Sequence, residues 1–149
     1  MNTIYIAARY DRLDEMNIYR EELRRNGFDV NSRWLNGTHQ IHPSPEKVDN
    51  HDENVAWEAR PFAQDDLEDV NACDTLIFFA EPANSHSKRG GRHVEFGIAL
   101  ALEKRIIVVG NRENVFHCLP QIEHYDSFGQ CLGSLRYGSI VNFPHNPEV

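Results

Sequence analysis

Two near-continuous apolar runs, Thr75 to Ala80 (TLIFFA) and Arg105 to Gly110 (RIIVVG), stand out along the chain. Short runs without polar alternation predict strands buried on both faces, as in a parallel sheet. Thr3 to Ala8 (TIYIAA) is a third strand of this kind. Beyond it the spacing turns helical: Leu13, Met16, Tyr19 and Leu23 recur at steps of three and four, and Gly27 supplies a stop. Phe28 to Trp34 (FDVNSRW) alternates and predicts the second strand, closing a βαβ unit within the first 34 residues. Asn36 to Asn54 is polar and rich in His, Pro, Asn and Asp, and reads as a long loop placed to act as a lid. Val55 to Cys73 is helical, with Pro61 expected to kink or divide it. Val94, Ile98, Ala101 and Leu102 mark a helix that begins just after Gly90 and Gly91. A short strand over Ile122 to Tyr125 and a helix from Ser127 to about Tyr137 complete the alternation. The pattern predicts one α/β domain over residues 1–149, a doubly wound, Rossmann- or flavodoxin-like parallel sheet of about five strands flanked by helices.

In such sheets ligands bind beyond the carboxyl ends of the strands, where the strand order reverses. That selects the loops starting at Ala7, Ala80 and Gly110, with Arg9 close behind the first strand. The chain has 149 residues, enough to bury a core without disulfides or a structural metal. Cys73, Cys118 and Cys131 are widely spaced and odd in number, and the opening MNTIYIAARYDR is unlike a signal peptide, so a reducing cytoplasm is the expected location. No apolar run approaches the roughly 20 residues that span a bilayer, so no membrane partner is expected. The net charge of -8 disfavours a nucleic-acid polymer but not a small phosphorylated ligand, which needs only a local cluster of donors.

The loop after the third strand, EPANSHSKRGGRHVEFG, carries such a cluster. Asn84, Ser85, Ser87, Arg89, Gly91, Arg92 and His93 are candidate substrate ligands, because the glycines permit close backbone approach and a helix start offers free N–H groups. An ordinary helix start would look the same. Glu95 stands one or two residues into that helix between Val94 and Phe96, an apolar frame unlike that of a solvated acid. A capping carboxylate is the plainer account; a nucleophile or a group that stabilises an oxocarbenium ion is the functional one. Asp65, Asp66, Glu68 and Asp69 read mostly as a solvated helix face, and Asp74 opens the third strand. Arg9 and His93 are candidates for a phosphate contact and for an acid toward a leaving group. His39, His42, His51 and Asp52 lack the spacing of a metallohydrolase helix, so neither metal nor cofactor is expected. Tyr10, Trp34, Trp57 and Phe96 are stacking candidates, with Trp57 reading as core.

Taken in order, IYIAA, then FAQDDLEDVNACDTLIFF, then GGRHVEFGIALALEKRIIVV resembles the nucleoside 2-deoxyribosyltransferase superfamily, which includes deoxynucleoside 5′-monophosphate N-glycosidases. The match falls on Tyr5, Asp66, Asp74, Gly91, Glu95 and Gly97 and covers most of residues 3–110. The resemblance implies that Glu95 attacks C1′ of a (deoxy)ribose, that Tyr5 positions it, that Asp74 holds sugar or base, and that Asn114 completes the site of a neighbouring copy in a homodimer or larger homo-oligomer. It also implies a small-molecule nucleoside or nucleotide as partner. Two departures matter. Arg89 stands where transferases of this family carry Asp and nucleotide hydrolases Ser, and Gly91-Arg92-His93 replaces the usual Gly-Thr or Val-Gly. Both add positive charge at the ligand mouth and point to a 5′-monophosphate. Two competing readings stand beside this one. A non-catalytic module could bind a nucleotide or ADP-ribose-like ligand in the same cleft, and a flavodoxin-like carrier is disfavoured by Ala7 and Ala8 where a phosphate loop would need Gly and Ser.

Overall fold

The computed structural model describes residues 2–37, 53–84 and 90–137. Five strands, β1 (Thr3–Ala7), β2 (Asp29–Val30), β3 (Thr75–Phe79), β4 (Arg105–Val109) and β5 (Glu123–Tyr125), form one parallel sheet in the order β2-β1-β3-β4-β5. Four helices flank it: α1 (Leu13–Arg25), α2 (Glu53–Ala72), α3 (Gly91–Ala101) and α4 (Phe128–Tyr137). The strand order reverses between β1 and β3, so the expected α/β doubly wound fold is present and its switch point lies above Ala7 and Ala80.

Burial on both faces explains the unbroken apolar strands. In β3 all five residues are buried, and in β1 and β4 four of five. On one face Tyr5, Ala7, Leu76 and Phe78 stand side by side in the register that pairs Tyr5 with Leu76 and Ala7 with Phe78. Phe96 of α3 packs edge-on against Phe78 there. On the other face Tyr19 of α1 stacks on Phe79 and on Phe128 of α4. Gly110, at φ +105, comes so close to Ala80 that an added Cβ would lie 3.3 Å from that residue's own Cβ. The loops leaving β3 and β4 start side by side on that contact.

Four expectations are corrected. The second strand stops at Val30, because Ser32 Oγ accepts from Ile6 N at 2.8 Å and the chain turns into a 3-10 segment over Arg33–Asn36. Trp34 is thereby buried, donating from Nε1 to Ile6 O at 2.8 Å, and is a core residue rather than a ligand contact. Pro61 does not divide α2, which runs continuously through it. Trp57 is not core: it is 65% exposed, with the Arg60 guanidinium over its ring. The lid loop over 36–54 falls almost entirely outside the described residues, as do His39, His42, His51 and Asp52. Among the described residues no helix is long and apolar enough to cross a membrane.

Because Trp34 fills the space between β1 and the 3-10 segment and its indole closes a backbone carbonyl, Trp34→Ala should cost about 3–5 kcal/mol of stability. Trp34→Phe, which loses the hydrogen bond but keeps most of the volume, should cost less. Denaturant unfolding of the two variants checks the order.

Candidate active site

Helix α3 starts at the carboxyl end of β3, after Gly90 in the left-handed region (φ +74), and runs back across the sheet. Its buried side carries Arg92, Phe96 and Ala99. Glu95 and His93 lie on either flank of that buried line, and the site divides accordingly.

On the flank toward β1, the Tyr5 hydroxyl donates to Glu95 Oε2 at 2.7 Å. Tyr5 is fully buried at the middle of its strand, so its hydroxyl needs this partner. Burial pushes the Glu95 carboxyl up to about 8, with the Asp66 charge adding to the rise and the Tyr5 hydrogen bond opposing it. Asp66 arrives from α2 and is itself pushed up to about 7, by burial first and then by Asp69 and Asp65. Two carboxyl groups and a phenol thus meet between β1, α2 and α3, and Tyr5 is held well above the usual phenol range by burial and by both acids. Asp66 raises the Glu95 carboxyl, and two acids coupled in this way lose their protons as a pair near neutral pH.

On the flank toward β4, Arg92 is almost wholly buried and committed. Its Nη2 donates to Glu113 Oε1 at 2.7 Å and its guanidinium lies 5.2 Å from the Phe78 ring centre. Glu113 ties the neighbourhood together: Oε2 accepts from Glu81 N at 2.9 Å, and its own N–H donates to His117 Nδ1 at 3.0 Å. Both ring nitrogens of His93 face donors, Arg92 Nη1 at 3.3 Å and Asn114 Nδ2 at 3.5 Å. Burial and the Arg92 charge hold His93 below the usual histidine range. His117, buried behind it, is pushed down to about 4 by burial. A cavity of about 260 Å³ opens here, lined among others by Gly90, His93, Asn111, Arg112 and Glu113.

The sequence candidates therefore separate. Tyr5, Asp66 and Glu95 come together. Asp66 is no solvated helix acid, and Asp69 is nearly buried against Arg33. Asp74 is elsewhere: it lies exposed at the amino edge of β3, where its Oδ2 accepts from Thr3 N at 2.8 Å and fastens β1 to β3. That edge is opposite the ligand loops, so the expected role in holding sugar or base is corrected to a strand fastening. Arg92 is corrected too, since Glu113 occupies the guanidinium expected to meet a phosphate. His93 lines the cavity and is held below the usual histidine range. Arg9 pairs with Asp11 at 2.9 Å and Glu81 at 3.6 Å. Ala7 is buried at the end of β1, Gly91 opens α3, and Asn84 is exposed at the turn beyond Pro82. Asn114 caps the 3-10 segment over Val115–Cys118 by accepting from Phe116 N at 3.0 Å. Ser85, Ser87 and Arg89 lie outside the described residues.

Sequence reading missed Glu81 and Glu113, which neutralise the arginines at the mouth. Glu81, buried at the end of β3, accepts from Arg12 Nη1 at 2.9 Å. The signal was present: each follows one of the two central strands, on the same ligand edge as Arg9, Arg12 and Arg92.

No protein-family model and no curated protein sequence matches this chain. Among solved structures, a CMP N-glycosidase from Clostridium botulinum is similar over 92% of this chain and 100% of its own, at 18% identity and a TM-score of 0.52. A 2-deoxyribosyltransferase from Leishmania mexicana is similar over 92% of this chain and 98% of its own, at 16% identity and a TM-score of 0.58. At these identities the likeness establishes a common fold.

The raised carboxyl of Glu95 sets a sign for stability. The folded state holds its proton to about 8, while the unfolded chain releases it near the ordinary carboxyl value of 4.5. Between these values the folded state binds more protons, so stability falls as pH rises through that window. Glu95→Gln should therefore melt higher than the parent at pH 8 and close to it at pH 4.5, as thermal unfolding at the two pH values will show.

Proposed function

We propose that this protein cleaves, or transfers across, the N-glycosidic bond of a (deoxy)nucleoside or, by preference, its 5′-monophosphate, with Glu95 as the nucleophile. The observation that carries this reading is the Tyr5–Glu95 hydrogen bond of 2.7 Å beside Asp66, at the switch point of the sheet. The fold shared with a glycosidase and a deoxyribosyltransferase supports the same class of chemistry.

Cleavage at C1′ builds positive charge on the sugar and negative charge on the departing base. An ionised Glu95 answers the first. Tyr5 donates to Oε2, which fixes the rotamer of the carboxylate. Glu95 then bonds to C1′ as the C1′–N bond breaks, and the base leaves with the electron pair. Of the single proton that Asp66 and Glu95 hold between them near neutral pH, the arrangement with it on Asp66 leaves Glu95 ionised and lets Asp66 protonate that base. Water or a second base then attacks C1′ and gives its proton to the Asp66 carboxylate, releasing Glu95 as a carboxylate and restoring Asp66.

The monophosphate preference rests on the start of α3 and on Arg112. Arg112 lines the cavity next to Gly90, and the uncapped helix start presents backbone N–H groups there. Arg92 contributes by holding the helix start against Glu113 rather than by touching phosphate. A non-catalytic binder of phosphorylated ligands would gain nothing from a buried carboxyl beside this anion-attracting helix end.

Four outcomes test the proposal. Chromatography should detect free base from at least one member of a panel of ribo- and deoxyribonucleosides and their monophosphates, with or without an acceptor base. Glu95→Gln should cut that release by several orders of magnitude. A folded wild type that releases no base from any member, or a Glu95→Gln enzyme with unchanged turnover, overturns it. The kcat/KM profile should be bell-shaped around pH 7–8, since the form with one proton shared between Asp66 and Glu95 is the active one. Arg112→Ala should reduce the ratio of nucleotide to nucleoside kcat/KM by about 10- to 100-fold.

A further inference from the structure

Arg33, at the start of the 3-10 segment after β2, grips α2 at every acid that flanks Asp66. Its Nε donates to Asp69 Oδ1 at 3.0 Å, and its backbone N–H donates to Asp69 Oδ2 at 2.9 Å. Nη2 reaches Glu68 Oε1 at 2.9 Å and Asp65 O at 3.2 Å, while Nη1 lies 3.2 Å from Asp65 Oδ1. Asp65, Asp66, Glu68 and Asp69 stand within a single helical turn, and Asp66 is the member that turns inward toward Tyr5. Like charges this close repel one another unless a cation stands among them.

We propose that Arg33 is a positioning residue for the reaction, closing the acid cluster of α2 so that Asp66 is presented to Tyr5 and Glu95 with its flanking charges compensated. The catalytic part of this statement rests on the function proposed above; the electrostatic part does not. The groups that face Asp66 are Asp65 and Asp69 on its own helix, Tyr5 from β1, Glu95 from α3 and Arg33 from the 3-10 segment. Of these, Asp69 and Asp65 drive the Asp66 carboxyl up and Arg33 draws it down. The effect passes to Tyr5, which feels both Asp66 and Asp69, and to Glu95, which feels Asp66. Removing the Arg33 charge leaves Asp65 and Asp69 uncompensated beside Asp66.

The grip is not needed merely to hold α2 in place. Asn31 Nδ2 donates to Asp69 O at 2.9 Å, and the Arg33 backbone N–H holds the Asp69 carboxylate whatever side chain stands at 33. Charge can therefore be removed while the tether stays.

The test uses Arg33→Met, Arg33→Gln and Arg33→Lys in the full chain, with two readouts. The first is titration of the Asp66 and Glu95 carboxyls by carbon-13 NMR in the free protein, which needs no activity. Arg33→Met and Arg33→Gln should move the Asp66 titration to higher pH, and Arg33→Lys should restore most of the wild-type value. The second is the pH profile of base release. Both uncharged variants should shift the acid limb upward, lowering kcat/KM below that limb by about three- to tenfold while Arg33→Lys stays near wild type. Arg33→Gln retains a hydrogen-bonding side chain and decides the matter if Arg33→Met fails to fold. An Asp66 titration unchanged in a folded uncharged variant, or shifted equally in Arg33→Lys, overturns the inference. If the wild type releases no base, the proposed reaction fails while the carboxyl titration still decides the role of Arg33.

Discussion

A strand covered on both faces has no room for a hydroxyl without a partner, and Tyr5 stands at the middle of such a strand. Its hydroxyl must be bonded, and Glu95 is where the bond goes. That single requirement fixes the height and rotation of α3 over β1. It also forces a carboxyl into low dielectric, where its proton is held far more tightly than in water. Stability and reactivity are thus set against each other at one contact. The folded state carries a part-buried acid, and under the proposed function that acid is the nucleophile.

The two flanks of α3 divide the labour. Toward β1 lie groups that can exchange a proton or form a bond: Tyr5, Asp66 and Glu95. Toward β4 lie groups paired with one another: Arg92 Nη2 with Glu113, His117 Nδ1 with the Glu113 N–H, and His93 beside Arg92 and Asn114, while Arg92 Nε and His117 Nε2 have no partner among the described residues. The second set makes a rigid wall for the cavity and contributes little net charge to it. Under the proposed function, what draws an anion into this cavity is the backbone of the helix start together with Arg112.

The alternation of elements was legible because parallel strands and amphipathic helices carry different apolar periods, and β3 and β4 fall within a residue of their expected ends. The shortening of β2 was not legible, since it depends on Ser32 finding Ile6 N across the sheet. Tyr5, Asp66 and Glu95 were picked out through a family pattern, and the structure brings them together. Asp74 belonged to the same pattern, yet its carboxylate serves the strand beside it. The sign was in the sequence: Asp74 opens its strand, and the opening residue of a parallel strand lies at the edge opposite the ligand loops. The arginines failed for another reason: a count of positive residues near a helix start does not reveal that Glu113, 21 positions away, is aimed at one of them.

Glu113 deserves one more consequence. It joins three stretches of chain, the β3 loop through Glu81 N, α3 through Arg92, and the 3-10 segment through His117. Losing either charge of the Arg92–Glu113 pair alone strands the other in a buried setting, which is costlier than losing both together. Drift at these two positions is therefore locked in step, and a lineage can reshape this wall only by passing through a damaged intermediate or by exchanging both residues at once.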